Sequence, residues 1–143
     1  MNIATQLKLE LRSKDLYVRR SAAESAGRYL CLAWPAAPAL ICALDDEDKF
    51  VRRFSALSLG KLAPGATAAV PRLTELVNDP DDVLNEACCW ALGRIGPAAR
   101  AALPALHQAA RRKLPHDPKD PTKDYYVQLV RDAAATAIRR IKA

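Results

Sequence analysis

The chain has 143 residues, half of them apolar and few aromatic, and its 22 Lys and Arg exceed its 16 Asp and Glu by 6. An alanine-rich, aromatic-poor balance suits helices packed closely through small side chains, and the positive excess favours an acidic partner or nucleic acid without choosing between them. Charges interrupt the opening segment MNIATQLKLELRSK, which excludes a secretory signal or membrane-spanning helix there and makes a cytoplasmic protein the simplest expectation.

The first predicted helix carries Leu7 and Leu11 and is followed, after Asp15, by the phrase VRRSAAESAG from Val18 to Gly27. That phrase returns as VRRFSALSLG from Val51 and LNEACCWALG from Leu84, so Gly27, Gly60 and Gly93 recur at one constant spacing. Pro38, Pro71 and Pro104 each follow one of these glycines at the same distance, a second register with the same period. A fixed period within the range of helical-hairpin repeats marks a repeated structural unit. The chain therefore divides into units of approximately 2–30, 35–63, 68–96 and 101–142 within a single domain, 1–143.

With the first residue of each phrase as position 0, positions 0, 4, 8 and 11 are mostly apolar or small. They are Val18, Ala22, Ala26, Tyr29; Val51, Ser55, Leu59, Leu62; Leu84, Cys88, Leu92, Ile95; and, in a degraded fourth copy, Val130, Ala134, Ile138, Ile141. That spacing is one face of a helix. A shorter apolar-periodic helix precedes each one, through Leu40 and Leu44, Leu73 and Val77, and Leu106 and Ala110 after the first pair. In these the proline falls in the opening turn, where it is tolerated. Acid-rich turns, Asp45 to Asp48 and Asn78 to Asp81, join first helix to second and can cap the helix that follows. Gly60 to Ala66 and Gly93 to Ala99 then read as turns into the next unit.

The fourth unit departs from register, since Leu84 to Val130 is longer than one period. The excess falls in Arg111 to Asp124, a proline-rich segment with five basic and three acidic residues. It reads as a solvated loop inserted between the last two helices. Arg139 stands where the other units have glycine, as suits a helix on which nothing stacks. Cys31, Cys42, Cys88 and Cys89 have no CxxC spacing and lie far in sequence from His107 and His116, so they read as reduced packing residues rather than metal ligands. No metal or other cofactor is expected.

The phrase from Asp15 to Gly27, repeated from Asp48 to Gly60, resembles HEAT-like repeats of the short type named after phycobilisome lyases. The resemblance implies an all-α fold, a right-handed α-solenoid of about four stacked helical hairpins, with the second helices on the concave side. It also implies a structural ladder between the Asp before the second helix and the Arg at position 1, here Asp15, Asp48 and Asp81 with Arg19, Arg52 and Arg131. Asn85 and Val127 break that pattern in units three and four. Such repeats occur in adaptors, bilin lyases, an iron hydroxylase and DNA glycosylases, so the fold leaves the function open.

Candidate binding residues come from the positions a lone helix would turn away from its apolar face. Position 2 holds Arg20, Arg53, Glu86 and Asp132, and position 6 holds Glu24, Leu57, Trp90 and Thr136. Position 10 holds Arg28, Lys61, Arg94 and Arg140, a row of cations set side by side by stacking. The same residues can instead complement helix C-termini and remain solvated. Leu57 and Trp90, flanked by Phe54, form an apolar centre within this charge, which is the anatomy of a protein-binding hot spot. Trp34 reads as a packing residue.

Three functions are weighed. The favoured one is a non-enzymatic scaffold or adaptor whose concave groove engages an acidic, apolar segment of a partner protein through Arg20, Arg28, Arg53, Phe54, Leu57, Lys61, Trp90, Arg94 and Arg140. Nucleic-acid binding through the basic row competes with it, though Glu24, Glu86 and Asp132 interrupt the surface. A bilin-lyase-like chromophore binder is the other alternative. No His-Glu pair suggests the hydroxylase, and Glu86 beside Trp90 is a thin basis for a glycosylase.

Overall fold

The computed structural model describes all 143 residues and contains eight α-helices and no strand. The helices pair in chain order as hairpins: α1 (Ile3–Glu10) with α2 (Leu16–Ala26), α3 (Ala37–Ala43) with α4 (Lys49–Lys61), α5 (Val70–Leu76) with α6 (Asp82–Ile95), and α7 (Leu103–Ala110) with α8 (Thr122–Lys142). Two acceptors shape each turn into the second helix of the first three units. Ser13, Asp46 and Asp79 accept the N–H of Asp15, Asp48 and Asp81 at 3.1, 2.9 and 2.9 Å. Those three aspartates in turn cap α2, α4 and α6 through the N–H groups of Tyr17, of Phe50 and Val51, and of Val83 and Leu84. Each carboxylate satisfies donors that the helix start leaves without an internal partner. Short 3₁₀ segments, Leu30–Ala36, Thr67–Ala69 and Gly96–Ala102, lead into α3, α5 and α7, and Pro38, Pro71 and Pro104 occupy the first turns as expected.

The inserted segment is shorter than its composition suggests. Thr122, Lys123 and Asp124 belong to α8, leaving Arg111 to Pro121 outside helices. Polar residues are no obstacle to an exposed first turn, and Asp124 there complements the helix dipole. The loop is also tied down rather than simply solvated: Lys123 Nζ meets Asp117 at 2.9 Å, and His116 contacts Asp124 through its backbone N–H at 2.8 Å and Nδ1 at 2.9 Å.

The core follows the two apolar periodicities. Leu7, Leu11, Leu40, Leu44, Leu73, Val77 and Leu106 bury from the first helices, and Val51, Leu59, Leu62, Leu84, Leu92, Val130 and Ile141 from the second. Coverage falls at both ends of the stack, where Tyr29 is 43% exposed and Val18 and Ile138 are only half-buried, because no further hairpin of this chain packs on those sides. Cys88 and Cys89 lie in the core as expected; Cys31 and Cys42 do not, being exposed on the 3₁₀ lead-in and on the outer side of α3.

Successive second helices pack on one another along the whole stack, α2 on α4 on α6 on α8, whereas the first helices touch one another far less. The second helices therefore form the layer of closer approach, the inner layer of the stack. The register glycines are the reason it can close. Gly60 and Gly93 lie inside α4 and α6, not in the turns after them. A Cβ on Gly93 would stand 2.9 Å from the Ala137 Cα, and one on Gly60 2.9 Å from the Ala91 Cα and 2.5 Å from the Trp90 ring. At Gly27 the approaching group is Ser58, whose Oγ accepts the Gly27 N–H at 3.0 Å and donates to the Ala23 carbonyl at 2.5 Å. Arg139 of α8 replaces this glycine at an exposed site, since no further helix needs room there.

In an exposed helix, Gly→Ala raises stability by roughly 1 kcal/mol. Here the Gly93→Ala substitution is expected to lower it by about 1–3 kcal/mol, because backbone cannot yield as a side-chain end can. Urea unfolding followed by circular dichroism measures the change, and a midpoint that rises instead would contradict the close-approach argument. Ser58→Ala, which strands the buried Gly27 N–H, is expected to cost about 1–3 kcal/mol in the same assay.

Candidate partner-binding groove

Arginines divide into struts and surface cations by what the neighbouring unit presents to them. Arg19 and Arg52 play the same architectural part in their own units: the first donates to the carbonyls of Ser13 and Lys14 at 2.9 and 3.3 Å, the second to those of Asp46 and Glu47 at 2.8 and 3.1 Å. Arg19 also reaches forward to Asp46 at 2.8 Å, with both side chains nearly buried. The expected ladder of Arg19, Arg52 and Arg131 with Asp15, Asp48 and Asp81 does not form: Arg131 Nε is buried without a partner, and among the three aspartates only Asp48 meets an arginine, which is Arg20. Asp48 is held by Arg20, at 2.9 Å through Nε and 2.6 Å through Nη2, and the Arg20 guanidinium lies 4.6 Å from the Phe50 ring centroid. Arg20, placed in the binding set because position 2 faces outward on a lone helix, is thus an inter-unit strut. In a stack that position looks at the next unit's turn.

Unit three lacks the position-1 arginine, and Arg112 from the inserted segment supplies a guanidinium in its place. It donates to Asn85 Oδ1 at 2.8 Å and to the Val77 carbonyl at 2.6 Å, while Asn85 itself donates to the Leu76 carbonyl at 2.8 Å. Spacing gives no warning of this, because Arg112 stands outside the repeat register. Arg72 is a further strut, bonded to Asp45 of the preceding unit and to Glu75 of its own helix.

The position-10 row remains at the surface. Arg28, Lys61, Arg94 and Arg140 are all exposed, and only Arg28 has a carboxylate nearby, Glu24 at 3.9 Å. Their stems are not idle. The Lys61 chain lies over Gly27 and the Arg140 chain near Gly93, each crossing to the preceding unit. Between them Trp90 takes the corresponding place over Gly60, and Arg94 sits 5.9 Å from its ring centroid. Trp90 is accordingly half-buried, as are Leu57 and Phe54, all three packed on the core with part of their surface in the groove. Trp34 packs only in part: its Nε1 donates to the Leu62 carbonyl at 3.0 Å and its ring faces Gly65, yet the residue is 46% exposed.

A concavity of about 260 Å³ lies between α6 and α8. Trp90, Leu129 and Ala133 give it apolar walls, Glu86 and Asp132 put carboxylates at the position-2 end, and Arg140 lies at the position-10 end. Glu86 makes no ion pair, and Asp132 accepts a single bond from Gln128 at 2.8 Å. In the sequence rows these two acids interrupt a positive surface. In the structure both line this hollow. No group of three or more His, Cys, Asp or Glu is placed to hold a metal ion.

The model of the HEAT-repeat family matches residues 4–86 and again 37–119, together most of the chain. The protein belongs to the HEAT-repeat family. Among solved structures it is similar to the complex of CpcE and CpcF of phycocyanin lyase from Nostoc sp. PCC7120, with 29% identity and a TM-score of 0.67 over 97% of this chain. The chain spans 56% of that neighbour's length. An engineered protein shares the fold alone, at 19% identity and a TM-score of 0.64, over 92% of this chain and 62% of its own. A search among curated proteins found no match.

Within these HEAT units the strongest electrostatic signature belongs to a strut. Arg20, with the N–H groups at the start of α4, holds the Asp48 carboxyl down to about 2. Burial acts in the other direction on the thiols, pushing Cys89 up to about 12 and Cys88 well above the usual range, so neither is a nucleophile near neutrality. A carboxyl whose folded pKa is depressed stabilises the fold above its ordinary range and loses that contribution as pH falls. Wild-type protein is therefore expected to lose the Asp48 contribution between about pH 4 and pH 2. Asp48→Asn should be less stable than wild type at pH 7, and the gap should close toward pH 2 in thermal melts at each pH. A gap independent of pH would show that the Arg20 pair contributes nothing through charge.

Proposed function

We propose that this HEAT-repeat protein is a non-enzymatic binding scaffold whose second-helix groove holds an acidic, apolar segment of another protein. The observation that carries the reading is the exposed row Lys61, Arg94 and Arg140, which has no carboxylate partners, set against the half-exposed surfaces of Trp90, Leu57 and Phe54. An apolar anchor ringed by cations binds through the anchor and orients through the charge. Protein as the partner class is supported by the similar structure, which is a complex of two subunits. A polyanionic nucleic acid fits less well, because Glu86 and Asp132 line the same groove.

The similarity to a phycocyanin lyase subunit complex supports a second reading, a binder of an acidic tetrapyrrole. Mixing the protein with phycocyanobilin and recording its absorbance separates the two, since a scaffold leaves the pigment spectrum unchanged.

For the favoured reading, affinity capture from the source organism should be compared between wild type and two variants. Lys61→Gln with Arg94→Gln removes surface charge and keeps most of the stems that lie over Gly27 and beside Trp90; Trp90→Ala removes the anchor, and the fold of both variants is checked by circular dichroism. Each is expected to weaken capture of the same partner at least about tenfold, the order of a hot-spot loss. Equal recovery by wild type and both variants would end the proposal.

A further inference from the structure

Internal repetition lets the molecule be compared with itself, and one pair of equivalent sites differs in a way that exposes a binding position. Arg20, Asp48, Phe50, Tyr17 and Leu16 of the α2/α4 interval correspond, one repeat on, to Arg53, Asp81, Val83, Phe50 and Lys49 of the α4/α6 interval. In the first interval the arginine closes on the aspartate through two bonds and lies over the Phe50 ring. In the second it does not. Asp48 and Asp81 cap their helices alike through one oxygen, but Arg53 makes no ion pair, its Nε is buried without an acceptor, and Asp81 accepts nothing from an arginine. A pocket of about 130 Å³ stands there instead, lined by Lys49, Phe50, Arg53, Asp81 and Val83.

The cause is legible in the substitutions between the two copies. Val83 offers no ring face on which the guanidinium could lie, so the platform that holds Arg20 in place is missing. Lys49 replaces Leu16 and adds a second cation, which leaves the pocket with two positive groups against one carboxylate. A buried guanidinium N–H with no acceptor is costly, and an incoming acceptor recovers that cost. We propose that this pocket seats a carboxylate side chain, Asp or Glu, of the bound partner. The proposal rests on the scaffold reading above and specifies where its acidic residue lands.

The geometry favours a carboxylate over a phosphate. A planar carboxylate matches the guanidinium fork, as Asp48 matches Arg20 in the equivalent site, and a phosphate dianion would bring more charge toward Asp81. Lys49, which also lines the pocket with its Nζ 5.3 Å from the Phe50 ring centroid, is a second, less directional contact. Phe50, which serves as the platform for Arg20 on one side, also lines this pocket, so the closed strut and the open seat share one ring.

The test follows the Arg53 Nε–H resonance in side-chain ¹⁵N–¹H spectra of the full chain, titrated with N-acetylglutamate N-methylamide. The glutamine and phosphoserine counterparts serve as comparisons. A saturable shift with the glutamate compound and none with the glutamine one is expected. Val83→Phe, which restores the missing platform, should let Arg53 close on Asp81 and weaken glutamate binding at least fivefold, with the fold verified by circular dichroism. The proposal is overturned if the glutamate compound leaves the resonance unmoved or moves it no more than glutamine or phosphoserine does. Val83→Phe binding glutamate as well as wild type would overturn it too. Partner capture that depends on Trp90 and Arg94 while glutamate has no effect would sink the carboxylate seat alone; glutamate binding without any such capture would sink the scaffold reading instead.

Discussion

Everything in this molecule depends on the contact between one second helix and the next, made where a residue without a side chain meets backbone. Gly60 faces the Ala91 Cα and Gly93 the Ala137 Cα, each at a separation that leaves no space for a methyl group. Small residues continue the seam: Ala23, Ala56, Ser58, Ala91 and Ala137 are all buried along it. Larger side chains would push the inner layer apart, whereas the outer layer, where first helices rarely touch, would not respond. The glycine register sets where the inner layer comes together most closely.

That seam also sorts the charges. Residues flanking it look at the turn of the next unit, and whether they become struts depends on what that turn offers. Arg20 finds Asp48 and an aromatic ring, and Arg19 finds Asp46. The cations at position 10 lie one residue beyond the seam glycine, where the neighbouring unit contributes only apolar surface for their stems, so their heads stay in water. The position-10 row therefore sets four exposed cations along one edge of the second-helix layer.

Periodicity exposes the hairpins, their boundaries and nearly all of the core, because burial within a hairpin depends on spacing along one helix. Contacts between hairpins are harder to read, since they join residues 27 to 35 apart with no local signature. Arg20 reads as outward-facing and the register glycines as turn residues for that reason: each looks ordinary on an isolated helix. Arg112 is invisible to any repeat alignment because it lies in the irregular segment. The beginning of α8 escapes for a different cause, as polarity alone cannot separate a loop from an exposed first turn.

The groove is not uniformly basic, and its asymmetry has a consequence for how a chain lies in it. Position 10 is positive in all four units, while position 2 changes sign along the stack, from Arg20 and Arg53 to Glu86 and Asp132. The two rows are eight residues apart on each helix, about 12 Å. With Arg20 consumed by Asp48, the field across the groove runs from an all-cationic cross-section at the second unit to a dipolar one at the third and fourth. An extended acidic segment placed the wrong way round would bring its charge against Glu86 and Asp132 in a partly desolvated hollow, where like charges repel more strongly than in water. A uniformly charged row would attract an acidic chain in either direction. On the scaffold reading, the change of sign at position 2 makes the two orientations of such a segment unequal.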